Sequence, residues 1–231
     1  MAGESAIQEK NCAAVLMGPP GSGKTTVARA LAAHSEIAVI ETGNLLETEV
    51  KRDTALGREI SPHKAAGDLV PPELVKRVIS AELERSSGKF VLFDGFPRSI
   101  PQVDLLFGLL KERNLTLCGV INLNIEKEAV LKRLSGRRLC QSCGALYNIY
   151  LNPPRQEGRC DRCGGQLAQR QDDREEIVRR RFENYERETV PVIGLFRKEH
   201  KEICLEIGAQ AIPDEVANQV REKLTKARGR D

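Results

Sequence analysis

One short stretch constrains this chain more than any other: Gly18-Pro19-Pro20-Gly21-Ser22-Gly23-Lys24-Thr25-Thr26. A glycine, four residues and then Gly-Lys-Thr is the spacing of a loop that wraps a polyphosphate in its backbone N–H groups. Side chains would obstruct that approach, so glycine stands at the closest points. The apolar run Cys12–Met17 ahead of it suits a buried strand, and residues 27–33 after it have helical composition and spacing. A helix starting there turns its positive end toward the same anion. Lys24 is then placed to reach the outer phosphates, and the Thr25 hydroxyl to face a magnesium ion.

The chain has 231 residues, enough for one medium domain with an inserted subdomain. Hydrophobic residues make up 40% and charged residues 30%, the balance of a globular protein with a substantial core. The net charge of +3 is a small excess, and nucleic-acid binders declare themselves more strongly, so no nucleic-acid partner is expected. No apolar run approaches the roughly 20 residues that span a bilayer, so no membrane association is expected. Residues 1–10 carry Glu4 and Glu9 and lack an apolar centre, unlike a secretory signal. The expectation is a cytoplasmic, reducing setting in which the seven cysteines are metal ligands or core residues, not disulfides.

Strand and helix patterns alternate along the chain, which predicts an α/β fold with a parallel sheet flanked by helices. Residues 38–40 read as a short strand, with a turn at Thr42-Gly43-Asn44. Helices are expected over 45–51, 56–66, 71–86, 101–112 and 126–135, and strands over 90–93 and 117–123. The strand at 90–93 delivers Asp94-Gly95-Phe96-Pro97-Arg98 at its C-terminal end, where open parallel sheets bind ligands. Residues 137–170 break the alternation. A long charged helix then resumes near Asp173, with Pro191 expected to kink it. A strand over 203–207 and a helix over 214–227 close the pattern.

The break carries Cys140-Gln141-Ser142-Cys143 and Cys160-Asp161-Arg162-Cys163, each followed by glycine. Two Cys-x-x-Cys turns at this separation are the spacing of a four-thiolate zinc site. A closed shell leaves no open position, so the predicted zinc is structural. The segment is poor in apolar residues, and metal binding would supply its folding energy. Cys12, Cys118 and Cys204 fall in apolar runs and read as core residues. Arginines crowd this region. Beside a phosphate loop they read as a flap closing on a polyphosphate, since phosphoryl transfer needs donors around its oxygens.

These motifs together resemble the adenylate kinases, in the long form with a zinc-bearing lid. The resemblance spans about residues 14–224 and rests on the phosphate loop, Thr42-Gly43, Asp94 to Arg98, Gly136-Arg137-Arg138, the four cysteines, and Asp172-Asp173 with Arg181. It implies a P-loop NTPase fold with a core of 1–41, 68–136 and 171–231, an inserted helical NMP-binding region at 42–67, and a zinc-binding lid at 137–170. The implied reaction is MgATP + AMP ⇌ 2 ADP, carried out by a monomer. Gly18, Gly21, Ser22, Gly23, Lys24, Thr25 and Thr26 would hold ATP, with Arg133 on its base. Arg137, Arg170 and Arg181 would clamp the transferred group, and Arg98 the acceptor phosphate. Asp94 would orient magnesium, directly or through water, together with Thr25. Thr42, Gly43, Gly95 and Gln102 would line the AMP site. Asp172 and Asp173 read either as a helix N-terminus or as braces for the arginines.

Three positions depart from the family pattern. Thr25 stands where glycine is usual, and Asn44 replaces a usual aspartate. Glu47 stands where the family places an arginine that binds the acceptor phosphate. A carboxylate about 4 Å from a phosphate costs on the order of 4 kcal/mol per charge pair at an effective dielectric of about 20. Glu47 is therefore expected to turn toward Lys51, with Arg52 or Arg58 serving the phosphate. The alternatives are an altered acceptor, or a nucleotide-binding module without transfer activity.

Overall fold

The structure, a computed structural model, describes residues 11–33, 36–86, 88–169, 173, 175–211 and 213–228. The chain runs β1 (Cys12–Met17), α1 (Lys24–Ala32), β2 (Ile37–Glu41), α2 (Thr42–Lys51), α3 (Ala55–Ala66), α4 (Pro72–Arg85) and β3 (Phe90–Asp94). It continues through α5 (Ile100–Glu112), β4 (Thr116–Asn124) and α6 (Lys127–Gly136) to the short strands β5 (Arg137–Cys140), β6 (Leu146–Asn148) and β7 (Leu167–Ala168). The last stretch is α7 (Glu175–Asn184), α8 (Val190–Glu199), β8 (Cys204–Gly208) and α9 (Pro213–Arg228).

The long strands pair in parallel in the order β2-β3-β1-β4-β8. β1 lies in the middle and is buried along its whole length, because helices cover both faces of the sheet. Its alternate residues serve opposite layers. Ala13, Val15 and Met17 join Val91 and Phe93 against α4, α5 and α8. Ala14 and Leu16 join Leu92, Ile121 and Leu123 against α1 and α9. Burying each such branched or aromatic side chain contributes on the order of 2 kcal/mol, so the sheet stands on its own apolar layers. Three of its strands deliver chain at their C-terminal ends, where β1 runs into Gly18, β2 into Thr42 and β3 reaches Asp94.

A second, smaller sheet of order β6-β5-β7 is antiparallel. Its apolar core is slight: Cys140, Cys160 and Leu167, with Ala145 and Tyr147 packed against them. Among the described residues no helix is long and apolar enough to cross a membrane.

Three details differ from the sequence expectation. Thr42-Gly43-Asn44 is the first turn of α2, continuing straight from β2. The expected kink at Pro191 falls earlier, as a π-helical stretch over Tyr185–Thr189 between α7 and α8. Proline lacks the N–H that would bond four residues back, and the wider turn takes up that gap. Cys12 and Cys118 form a disulfide, contrary to the expectation of unpaired core cysteines. The parallel register of β1 and β4 shifts between Ala13, opposite Leu117, and Ala14, opposite Gly119. Cys118 is the extra residue of that bulge, and its Cα lies 5.9 Å from that of Cys12. Cys204 remains a free, partly buried thiol, as a residue packed against the core.

Candidate active site

The phosphate loop leaves β1 at Gly18, whose φ of 137° and whose distance to the Leu123 carbonyl exclude a side chain: an added Cβ would lie 2.6 Å from that oxygen. Gly23, at φ 92°, caps α1 in the left-handed region. Lys24 opens the helix and folds its ammonium back over the loop, donating to the carbonyls of Gly18 and Pro19 at 2.8 Å each and to Ser22 Oγ at 3.3 Å. Burial lowers its pKa to about 7; Asp94 opposes that shift, and the Arg98, Arg181 and Arg137 guanidiniums add to it.

β3 brings Asp94 beside the loop, where its carboxylate accepts from Thr25 Oγ1 at 2.5 Å. Burial raises the Asp94 pKa, while Lys24, the Thr25 hydroxyl and Arg98 pull it back. A hydroxyl and a carboxylate in contact are the oxygen donors a magnesium ion takes in such a site, so the pair fits that ion. Arg98 follows in the loop after β3. Its Nε donates to the Gly95 carbonyl at 2.6 Å, and its own N–H donates to Gln102 Oε1 at 2.9 Å. The π-helical stretch places Thr189 so that its hydroxyl donates to the Arg98 carbonyl at 2.9 Å.

Two arginines from separate elements share one buried carboxylate. Arg137, at the start of β5, donates to both oxygens of Asp173, and Arg181 of α7 lies 3.7 Å from the same side chain. Asp173 is 2% exposed, so the two guanidiniums hold a fully desolvated anion. Of the two readings open for Asp173, the structure gives the brace. Arg170 and Asp172 lie outside the described residues. Arg133 spans two segments, donating to the Ser22 carbonyl at 3.3 Å and to the Ala209 carbonyl at 2.7 Å.

Lys24, Thr25, Asp94, Arg98, Arg133, Arg137, Arg181 and Thr189 line one cleft of about 1820 Å³, with Asp173 behind the arginines. Thr42, Gly43, Gly95 and Gln102 line it as well. Thr42 is 4% exposed, and its hydroxyl oxygen is buried without a hydrogen-bond partner. A buried, unpaired hydroxyl facing a cleft is costly unless a ligand completes it. A drug-sized ligand occupies roughly 300–1,000 Å³, so this cleft has room for two nucleotides.

α3 falls where the helical pattern over 56–66 predicts it, but the partner it gives Glu47 differs from the expectation. Glu47 does approach Lys51, at 3.9 Å, but its closer partner is Lys64 of α3, at 2.9 Å. Arg52 and Arg58 are exposed, Arg58 is engaged by Asp53, and neither lines the cleft. The available signal was helical spacing: Lys64 shares a face with Gly57, Ile60 and Ser61, putting a cation on an inward stripe.

The small sheet carries two knuckles with one hydrogen-bond pattern. The Gly144 and Gly164 N–H groups donate back to the Cys140 and Cys160 carbonyls at 3.1 and 2.8 Å. The four Sγ atoms of Cys140, Cys143, Cys160 and Cys163 lie within 4.8 Å of one another, with closest pairs at 3.5 and 3.6 Å. Four sulfurs about 2.3 Å from a tetrahedral zinc stand about 3.8 Å apart, so the cluster fits a structural zinc ion. The Tyr147 hydroxyl beside Cys160 lowers that thiol's pKa, whereas the crowding thiols of Cys143 and Cys140 raise that of Cys163, so four thiolates together call for a cation among them.

A family model described as adenylate kinase matches residues 16–201. The chain belongs to the adenylate kinase family. It is 40% identical over 213 residues to the adenylate kinase of Methanocella arvoryzae, covering 92% of this chain and 98% of that one. The adenylate kinase of Thermodesulfovibrio yellowstonii is 40% identical over 214 residues, 92% of this chain and 98% of its own. That of Pyrococcus furiosus is 37% identical over 217 residues, 94% and 97% of the two chains. The parallel sheet, the phosphate loop and the flanking helices are the P-loop NTPase fold of an adenylate kinase, and the cleft is that fold's ligand edge.

Proposed function

We propose that this chain catalyses reversible phosphoryl transfer between MgATP and AMP, giving two ADP. The observation that supports the reading is one continuous cleft lined by Lys24 and its loop, by Thr42 and Gln102, and by Arg98, Arg137 and Arg181. The transfer breaks the bond from the γ-phosphorus to the β–γ bridging oxygen. It forms a bond from that phosphorus to an oxygen of the AMP phosphate, and no proton is gained or lost. A phosphate dianion is already a nucleophile near neutral pH, with a second pKa of about 6, so no unusual general base is required. Catalysis then consists of alignment, charge neutralisation and exclusion of water.

In this reading the loop backbone and Lys24 hold the donor phosphates, and Arg133 lies against the donor base. Arg137 and Arg181, steadied by Asp173, meet the charge that spreads over the moving group, and Arg170 joins them. Arg98 faces the acceptor phosphate. The Thr42 hydroxyl and Gln102 read the adenine, which supplies the partner that Thr42 lacks. Thr25 and Asp94 hold magnesium, directly or through water; bound there, the ion neutralises charge on the donor phosphates. Residues 42–67 and 137–170 act as two covers on the core of 1–41, 68–136 and 171–231. The working unit is a cytoplasmic monomer.

A coupled assay of ADP formation over AMP, GMP, CMP and UMP tests the reading. AMP is the expected acceptor, and no turnover with any of the four would defeat it. The module without transfer activity took Glu47 as its lesion. The pairing of Glu47 with Lys64 removes the reason for that reading, because the carboxylate is neutralised in place.

A further inference from the structure

Glu47 of α2 lines the same cleft as Arg98 and Gln102. A lone carboxylate there would repel an acceptor phosphate. It is not alone. Lys64 Nζ lies 2.9 Å from one of its oxygens and Lys51 Nζ 3.9 Å from the other, and all three side chains line the same cleft. The trio leaves one net positive charge, the charge a single arginine would bring. The two lysines differ in setting. Lys51 is 64% exposed, whereas Lys64 is 20% exposed and held between α2 and the cleft.

The backbone fixes this arrangement. Gly57 lets α3 approach α2 so closely that an added Cβ would overlap the Glu49 carbonyl. The far end of α3 is tied to α7, where Arg180 pairs with Asp68 at 2.7 Å and Asn184 Nδ2 donates to the Gly67 carbonyl at 2.9 Å. Lys64 therefore sits on a helix anchored at both ends. The neighbouring acid one turn on, Asp68, is engaged by Arg180 and does not compete for it.

We propose that Lys64 is a ligand of the acceptor phosphate in this protein, with Glu47 as the positioning residue that holds it over the cleft. The cation has moved from α2 to α3, and the acid on α2 has become its anchor. An ammonium carries three donors and can serve a carboxylate and a phosphate oxygen together. Unlike a guanidinium it offers a point charge with no fixed fork, which suits a group shared between two anions. The inference rests on the adenylate kinase reading and deepens it.

The test is steady-state kinetics with AMP varied, alongside adenosine as a competitive probe that lacks the phosphate. Lys64→Met is expected to raise the KM for AMP about tenfold or more, with a smaller change in kcat and the KM for ATP within about twofold. Inhibition by adenosine should stay within about twofold, since no phosphate is involved. Glu47→Gln should raise the AMP KM by a few-fold through loss of the anchor. The double change Glu47→Arg with Lys64→Met should return the AMP KM toward the parent value, and it keeps the test open if Lys64→Met alone folds poorly. A Lys64→Met enzyme with an unchanged AMP KM overturns the inference while leaving the kinase reading intact. Equal weakening of AMP and adenosine also overturns it, because it would show a role in shaping the base site. A parent protein that phosphorylates no nucleoside monophosphate overturns the kinase reading itself and this inference with it.

Discussion

The sheet core and the 137–169 flap reach order by opposite means. The core buries both faces of β1 under helices, and its two apolar layers carry their own stability. The flap has three buried residues, two of them cysteines, and a two-residue strand. What it has instead is four converging thiols. One region is ordered by the hydrophobic effect and the other by coordination chemistry, and they meet at one buried side chain, Asp173, which holds Arg137 of the flap and Arg181 of the core.

Four measurements test whether the two regions differ in this way. The largest effect is expected from Lys24→Met. Removing a donor aimed at a transferring phosphoryl group costs about 10² to 10³ in rate, so kcat should fall by that factor while the melting temperature of the core holds or rises. An enzyme with half its activity or more would remove Lys24 from the role given to it.

Next is the joint between the regions. Asp173→Asn keeps the shape but releases both arginines. A misplacement of about 1 Å at such a site can cost about 10²-fold, so a loss in kcat of ten- to a hundredfold is expected, with the KM for ATP changing less. Activity within twofold of the parent would show that the shared carboxylate does not align them.

Zinc removal separates the two means of ordering directly. Chelation, or Cys160→Ser, should melt the flap at a temperature where the core is still folded, with the core transition unchanged. Hydrogen exchange over 137–169 compared with β1 and β3 reads this. A single, unshifted transition after verified loss of zinc would refute the contrast.

The smallest effect concerns a proton. Lys24 has a folded pKa of about 7 against 10.5 ordinarily, so between those values the unfolded chain holds more protons than the folded one. This group therefore makes stability rise with pH through that window, and most of its penalty is present below pH 7. A polyphosphate favours the ammonium and should restore the pKa. ATP binding at pH about 8.5 is then expected to take up close to one proton, falling toward about half near pH 7. Calorimetry in buffers of differing ionisation enthalpy measures it, and uptake that survives in Lys24→Met would assign the proton elsewhere.

The features legible in the chain were those written in short spacings. Gly18 to Thr26 names its own chemistry because a loop of this kind is built from consecutive backbone N–H groups. The Cys-x-x-Cys pairs do the same, since a knuckle needs only four residues to turn its sulfurs together. The apolar run at Cys12–Met17 and the strand into Asp94 gave the sheet and its ligand edge, because full burial on two faces leaves no polar period. Tertiary structure decided what lies between distant segments. It joined Cys12 to Cys118 through a bulge that no propensity marks. It chose between the two readings of Asp173 by bringing Arg137 to it across 36 residues, and it gave Glu47 to Lys64 in place of Arg52 or Arg58. The physical reason is one of range. Spacing fixes which side chains share a face within a turn or two, whereas a pair 17 residues or more apart forms only when two packed elements bring those faces together.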